Sequence, residues 1–177
     1  MLKKYFIFLT LLSFNNCGFQ VVYKANNIEI PYQQELAAIV IKKDRTKTNQ
    51  ELKNYLYDWL NPEYLKVEPK YFLTLSSQPT YSSTFTTATG SSGRNAVILS
   101  VSYVLQDIKT GETISTGSVS TNDNYDVTTR RYGTIVADEY TKSNLTKVAA
   151  QNIRNSLIND LIQAKKKADC PPEDEYN

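Results

Sequence analysis

Hydrophobic and polar positions alternate along this chain in two different rhythms, and the change of rhythm marks the elements. Leu36 to Lys42 is short, apolar and β-branched at its end, which predicts a buried strand. Leu52, Tyr55, Leu56, Trp59 and Leu60 then recur at helical spacing and define one face. Thr48-Asn49-Gln50-Glu51 has the form of a capping box for that helix, and Asn61-Pro62 stops it. Trp59 reads as a residue that packs on a sheet.

From there the period becomes two. Tyr71 to Phe85 is rich in Thr, Ser and aromatic residues. Val97, Leu99, Val101, Tyr103 and Leu105 form the apolar face of a further strand. Thr89 to Asn95, with Gly90 and Gly93, reads as the loop between the two. Lys109-Thr110-Gly111-Glu112 predicts a tight hairpin into a strand from Thr113 to about Tyr125. A helix is expected from about Thr134 to about Lys167. Leu145, Ala149, Ile153, Leu157 and Leu161 make its i+4 row, joined by Val148, Ile158 and Ile162. Lys165, Lys166 and Lys167 in its last turn complement the helix dipole. These elements predict an α+β fold: a mostly antiparallel four-stranded sheet with two helices packed on one face.

The ends follow other rules. Lys3 and Lys4 precede an uncharged run from Tyr5 to Phe14, too short to span a bilayer and of the right length for a signal sequence. Residues 1–16 are therefore expected to be a signal peptide of the lipoprotein type, with Cys17 as the acylated first residue. Phe14, Asn15 and Asn16 stand where an aliphatic and two small residues are usual. An ordinary signal peptide with a chance cysteine, or an uncleaved anchor, stays open. Asn26-Asn27 and Pro31 punctuate the lead-in at 18–35. Residues 17–167 are expected to be one domain, and 168–177 an acidic, Pro-bearing tail without structure. Cys170 reads as an exposed thiol if Cys17 is acylated; a Cys17–Cys170 disulfide and an intermolecular bridge are the alternatives.

Composition then removes whole classes of chemistry. The chain has 177 residues, with 20 basic against 18 acidic. Without Lys3 and Lys4 the balance is even, which argues against nucleic acid as a partner. There is no histidine, so imidazole metal sites and Ser-His or Cys-His pairs are impossible. No phosphate loop, catalytic carboxylate pair or Ser-x-x-Lys motif is present in the Ser/Thr-rich stretch. No enzymatic activity and no cofactor are expected. Asp138-Glu139 reads as a solvated pair at a helix start. Arg94 is the one charge between Lys70 and Asp107, set among small polar residues at a hairpin tip. Arginine there suits phosphate or carboxylate recognition, or is simply solvated. Arg130 and Arg131, between strand and helix, have the same two readings.

Cys17-Gly18-Phe19 with Tyr23, a helix ending Leu60-Asn61-Pro62, and the run Arg94 to Leu105 followed by Thr110-Gly111 come in a particular order. With a strand closing near Tyr125 and an Ala- and Leu-bearing helix to Leu161, they resemble the lipopolysaccharide-assembly lipoprotein family LptE over about 17–165. No single motif carries the likeness, and Gln20 stands where the family usually has Pro. The resemblance implies a lipoprotein on the periplasmic side of the outer membrane that plugs the lumen of the β-barrel translocon LptD. It implies help in assembling that barrel and in delivering lipopolysaccharide to the outer leaflet. It further implies Cys17 as the lipid site, and Arg94, Arg130 and Arg131 as contacts to lipopolysaccharide or barrel. A stand-alone envelope lipoprotein that binds lipid or peptidoglycan is the alternative.

Overall fold

In the computed structural model residues 32–86 and 92–169 are described. Cys17, Cys170, the signal segment and the tail after 169 lie outside them, so the expectations about acylation and thiol state do too. The elements are α1 (Gln33–Ala37), β1 (Ile39–Ile41), α2 (Lys47–Leu60), β2 (Tyr71–Thr86), β3 (Ser92–Asp107), β4 (Thr113–Asp126) and α3 (Arg131–Asp169).

The strands form one sheet in the order β1-β2-β3-β4. β1 runs parallel to β2, because α2 carries the chain back across the sheet between them. The remaining pairs are antiparallel, with Val101 opposite Ser77 on β2 and opposite Val119 on β4. The fold is α+β, as the alternation of rhythms predicts.

One face of the sheet takes the helices. Val97, Leu99, Val101, Tyr103 and Leu105 on β3 and Leu73 and Leu75 on β2 are buried there. They meet Leu52, Leu56 and Leu60 of α2 and the row Leu145, Ala149, Ile153, Leu157 and Leu161 of α3. Truncating one of these leucines to alanine typically costs about 2–5 kcal/mol. Trp59 is partly buried against this core and stacked on Tyr55, with ring centroids 6.0 Å apart. Its carbonyl accepts a 2.9 Å bond from Arg154 Nε, which ties the end of α2 to α3.

Several boundaries differ from the sequence reading. The expected strand at 36–42 divides into the short helix α1, which buries Leu36, and a three-residue strand. The Thr48 capping box does not cap α2, since that helix already begins at Lys47. Asp44 organises the turn instead: its carboxylate accepts from Thr46 N at 2.9 Å, Thr46 Oγ1 at 3.0 Å and Asn49 Nδ2 at 2.7 Å. These donors hold its pKa below the usual carboxylate value, the Thr46 amide foremost. β3 begins at Ser92, so Arg94 lies within a strand and not in a loop. The predicted hairpin after β3 forms, with Gly111 at φ 72° and Asp107 Oδ1 accepting from the amides of Lys109 and Thr110 at 2.7 and 3.0 Å.

Candidate functional site

Two surfaces offer themselves for recognition, and both follow from how the strands are filled. Even-numbered positions on β2, β3 and β4 point away from the helices. Along them run Ser76 and Gln78, then Ser100 and Ser102, then Ser118 and Ser120, all exposed. Ala96 to Gln106, Thr116 to Asn124 and Thr74 to Ser82 place no charged residue on this face. No element among the described residues covers it. The result is a three-strand field of hydroxyls and amides with Ile98, 40% exposed, in its middle. Such a surface can donate and accept hydrogen bonds across a broad contact with no charge to desolvate.

The field ends at Arg94 and Asp126, which sit opposite each other across β3 and β4. Arg94 Nε donates to Asp126 Oδ1 at 2.8 Å, and both side chains are more than half exposed. An exposed pair of this kind stabilises by about 0–1 kcal/mol. Thr84, Gly93, Arg94, Asn124 and Asp126 line an open cavity of about 570 Å³. Thr84 Oγ1 donates to the Arg94 carbonyl at 3.2 Å, and the Val127 amide to Gly93 O at 3.0 Å, which fixes the cavity floor. Arg94 is thus neither at a hairpin tip nor simply solvated; a carboxylate already occupies part of its charge. An incoming anion would have to displace Asp126.

Arg130 and Arg131 lie at the same end of the sheet, in the connection from β4 to α3 and in the first turn of that helix. Both are exposed, and neither lines the Arg94 cavity. No ion pair to either is present among the described residues. The three arginines therefore share an end of the molecule without forming one site.

The sequence reading missed a charged cluster that joins three elements. Lys142 Nζ contacts Asp138 Oδ2 at 2.7 Å and Glu139 Oε1 at 3.3 Å, and lies 5.6 Å from the centre of the Tyr81 ring. Glu139 also pairs with Lys47 of α2. Burial works against the Lys142 charge, yet its bonds to Asp138, Tyr81 and Glu139 outweigh that and raise its pKa. Asp138-Glu139 is accordingly ion-paired as well as partly solvated, and through Lys142 and Lys47 it ties α3 to β2 and α2. The i, i+3 and i, i+4 spacing to Lys142 is the signal that reveals it.

Opposite the arginine end, Val40, Pro69, Phe72, Gln106, Asp107, Ile108 and Gly111 line an open, mainly apolar cavity of about 470 Å³. No helix among the described residues is long and apolar enough to cross a membrane. No three Cys, Asp or Glu side chains converge among them as metal ligands would.

Two solved structures share this architecture. A lipoprotein of Caulobacter crescentus is 20% identical with a TM-score of 0.56, over 77% of this chain and 95% of its own. Rare lipoprotein B of Shewanella oneidensis is 13% identical with a TM-score of 0.57, over 72% of this chain and 96% of its own. At such identities the likeness is one of fold. No protein-family model matches the chain, and no curated protein does.

Proposed function

We propose that this chain is an outer-membrane lipoprotein, acylated at Cys17 and facing the periplasm, that plugs the lipopolysaccharide translocon barrel LptD and helps it form. The uncharged open face of β2, β3 and β4 carries this reading. A barrel interior is polar, and a plug must lie against it over a wide area. A field of Ser, Thr, Asn and Gln meets that wall with many exchangeable hydrogen bonds and without the cost of burying unpaired charge. The fold shared with solved bacterial lipoproteins and the order of motifs from Cys17 to Leu161 support the same assignment. In this reading Arg94 contacts the anionic groups of lipopolysaccharide or carboxylates of the barrel rim, and Arg130 and Arg131 stand at the same end of the sheet.

The alternative, a stand-alone binder of lipid or peptidoglycan, needs an enclosed cup. The cavity beside Val40, Phe72 and Ile108 has the apolar lining but lies open on the sheet's end. The test is isolation of the tagged full chain from envelopes in mild detergent. Co-purification with a large β-barrel in fixed ratio is the expected result. Recovery of the acylated chain alone, with the barrel intact elsewhere in the envelope, would overturn the plug.

A further inference from the structure

The first three turns of α3 expose what a helix of a soluble domain normally hides. Thr141, Leu145, Thr146 and Ala149 face the core, but no residue from Arg131 to Tyr140 is buried. Tyr132 is 80% exposed, Val136 47% and Tyr140 75%. Their spacing of four puts these three within about 80° of one another on the helix surface, a row about 12 Å long, with Ile135 beside it. A contiguous apolar row on an otherwise polar surface marks an interaction site.

The charges around this row that have no ion pair among the described residues are basic. Arg130, Arg131 and Lys147 are exposed, and no ion pair to any of them is present among the described residues. The two acids of this part of α3, Asp138 and Glu139, are engaged by Lys142 and Lys47. Two arginines at a helix N-terminus also oppose the helix dipole, so local stability does not account for them. The turn that presents them is fixed. Thr128 N donates to Thr134 Oγ1 at 3.1 Å, Thr134 Oγ1 to Thr128 O at 3.2 Å, and Thr128 Oγ1 to Arg130 O at 3.0 Å. Thr128 Oγ1 packs so near Gly133 that a Cβ there would come to 3.0 Å.

We propose that this face of α3 docks on the surface of an anionic bilayer. Tyr132, Val136 and Tyr140 enter the headgroup and acyl boundary, and Arg130, Arg131 and Lys147 meet lipid phosphates. Tyrosines with an apolar body and a polar tip, flanked by cations, suit that boundary. The complementary charge belongs to the membrane itself, where each nearby cation strengthens attachment about fivefold. The inference rests on the reading of the chain as a membrane-anchored lipoprotein. The anchor holds the domain at the surface, and the α3 face sets which side lies down.

The test uses the full processed chain with Cys170→Ser and Val136→Cys, labelled with the environment-sensitive fluorophore NBD. Intact mass verifies a single label. The protein is reconstituted on vesicles of phosphatidylcholine alone or with phosphatidylglycerol. Blue-shifted, brightened emission on phosphatidylglycerol vesicles only is expected, reversed by molar salt, where the Debye length is about 3 Å. Arg130→Gln with Arg131→Gln should weaken that engagement about twenty-five-fold. A label at Ser118→Cys, on the open sheet face, should stay unchanged. Equal signals on both vesicles, no signal on either, or a response at Ser118 would overturn the proposal. So would a response at Val136 that requires an added barrel protein, which would make the face a protein contact. Flotation separates the two readings. A chain that floats with both vesicle types but leaves Val136 silent keeps its anchor and loses this inference. A chain that floats only with phosphatidylglycerol and brightens at Val136 keeps this inference and loses the anchor.

Discussion

The ring of Tyr103 on β3 lies directly over Gly117, its cross-strand partner on β4, and fills the space a side chain there would need. From that position the Tyr103 hydroxyl reaches α3 and donates to Asp160 Oδ2 at 2.9 Å, while Ser115 Oγ donates to the same oxygen at 2.5 Å. Gly117 is therefore a packing requirement and not a flexible point. Gly117→Val should destabilise the domain by about 1–3 kcal/mol through overpacking. Urea unfolding of the variant against the parent measures it; an unchanged midpoint would mean that the ring swings away freely.

Tyr103 also predicts a response to alkali. Burial, reinforced by the bond to the Asp160 carboxylate, raises its pKa above the ordinary tyrosine value. The folded state thus keeps this proton longer than the unfolded one. The associated stability is complete below the unfolded value of about 10 and is lost as pH rises through the folded value. Melting temperatures should fall across that window, and Tyr103→Phe should flatten the fall while lowering stability at neutral pH. An identical alkaline slope in both proteins would contradict the assignment.

What could be read from the sequence was whatever depends on local period. The row Leu145, Ala149, Ile153, Leu157 and Leu161 and the alternation from Val97 to Leu105 are buried as their spacing demands. The architecture followed because hairpins and a single helical crossover leave few topologies. Errors arose where a partner distant in sequence decides. Asp126, 32 residues away, draws Arg94 into a strand pair, whereas at the α2 start the competitor is local, the Asp44 carboxylate two residues before Thr46. The Tyr103–Asp160 bond spans 57 residues and has no local signature. The open hydroxyl face was legible only in part, because the sequence shows Ser and Thr alternating but not which side of the sheet α2 and α3 take.

The tie between α2 and α3 should weaken in acid. Hydrogen bonding to Lys47, then to Lys142, lowers the Glu139 pKa. A carboxylate with a lowered folded pKa contributes stability above the unfolded value of about 4.3 and loses it as pH falls through the folded value. Because Glu139 and Lys47 are well exposed, the effect is small and screened by salt. Glu139→Gln should reduce the acid slope of the melting curve in low salt and leave it unaltered in high salt. A difference that persists in high salt would point to packing instead of charge.

Arg94 gives a prediction whose sign separates recognition from structure. If it meets a lipid phosphate, Asp126 competes for the same guanidinium. Asp126→Asn should then tighten binding of a lipid A analogue roughly two- to fivefold, the worth of an exposed pair. Arg94→Ala should weaken it by roughly tenfold or more, the loss of a charge-assisted contact. Titration of the purified protein with the analogue measures both. Weaker binding in Asp126→Asn would mean that the pair shapes the cavity and is not displaced.

The plug reading makes its sharpest demand on the open sheet face. Ser100 and Ser118 are exposed and lie on adjacent strands well inside the uncharged field. In the free domain a glutamate at either position points into water, so folding stability should change by less than about 0.5 kcal/mol. Pressed against a barrel wall, the same carboxylate is desolvated without a partner, at a cost of about 3 kcal/mol or more. Ser100→Glu and Ser118→Glu should therefore leave the melting temperature alone and reduce co-purified barrel by more than a hundredfold. Glutamate at Lys109, in the hairpin beyond the field, serves as the charge control and should have little effect. If the two serine variants retain the barrel in full ratio, this face lies free in the complex, and the contact must be sought on the helices.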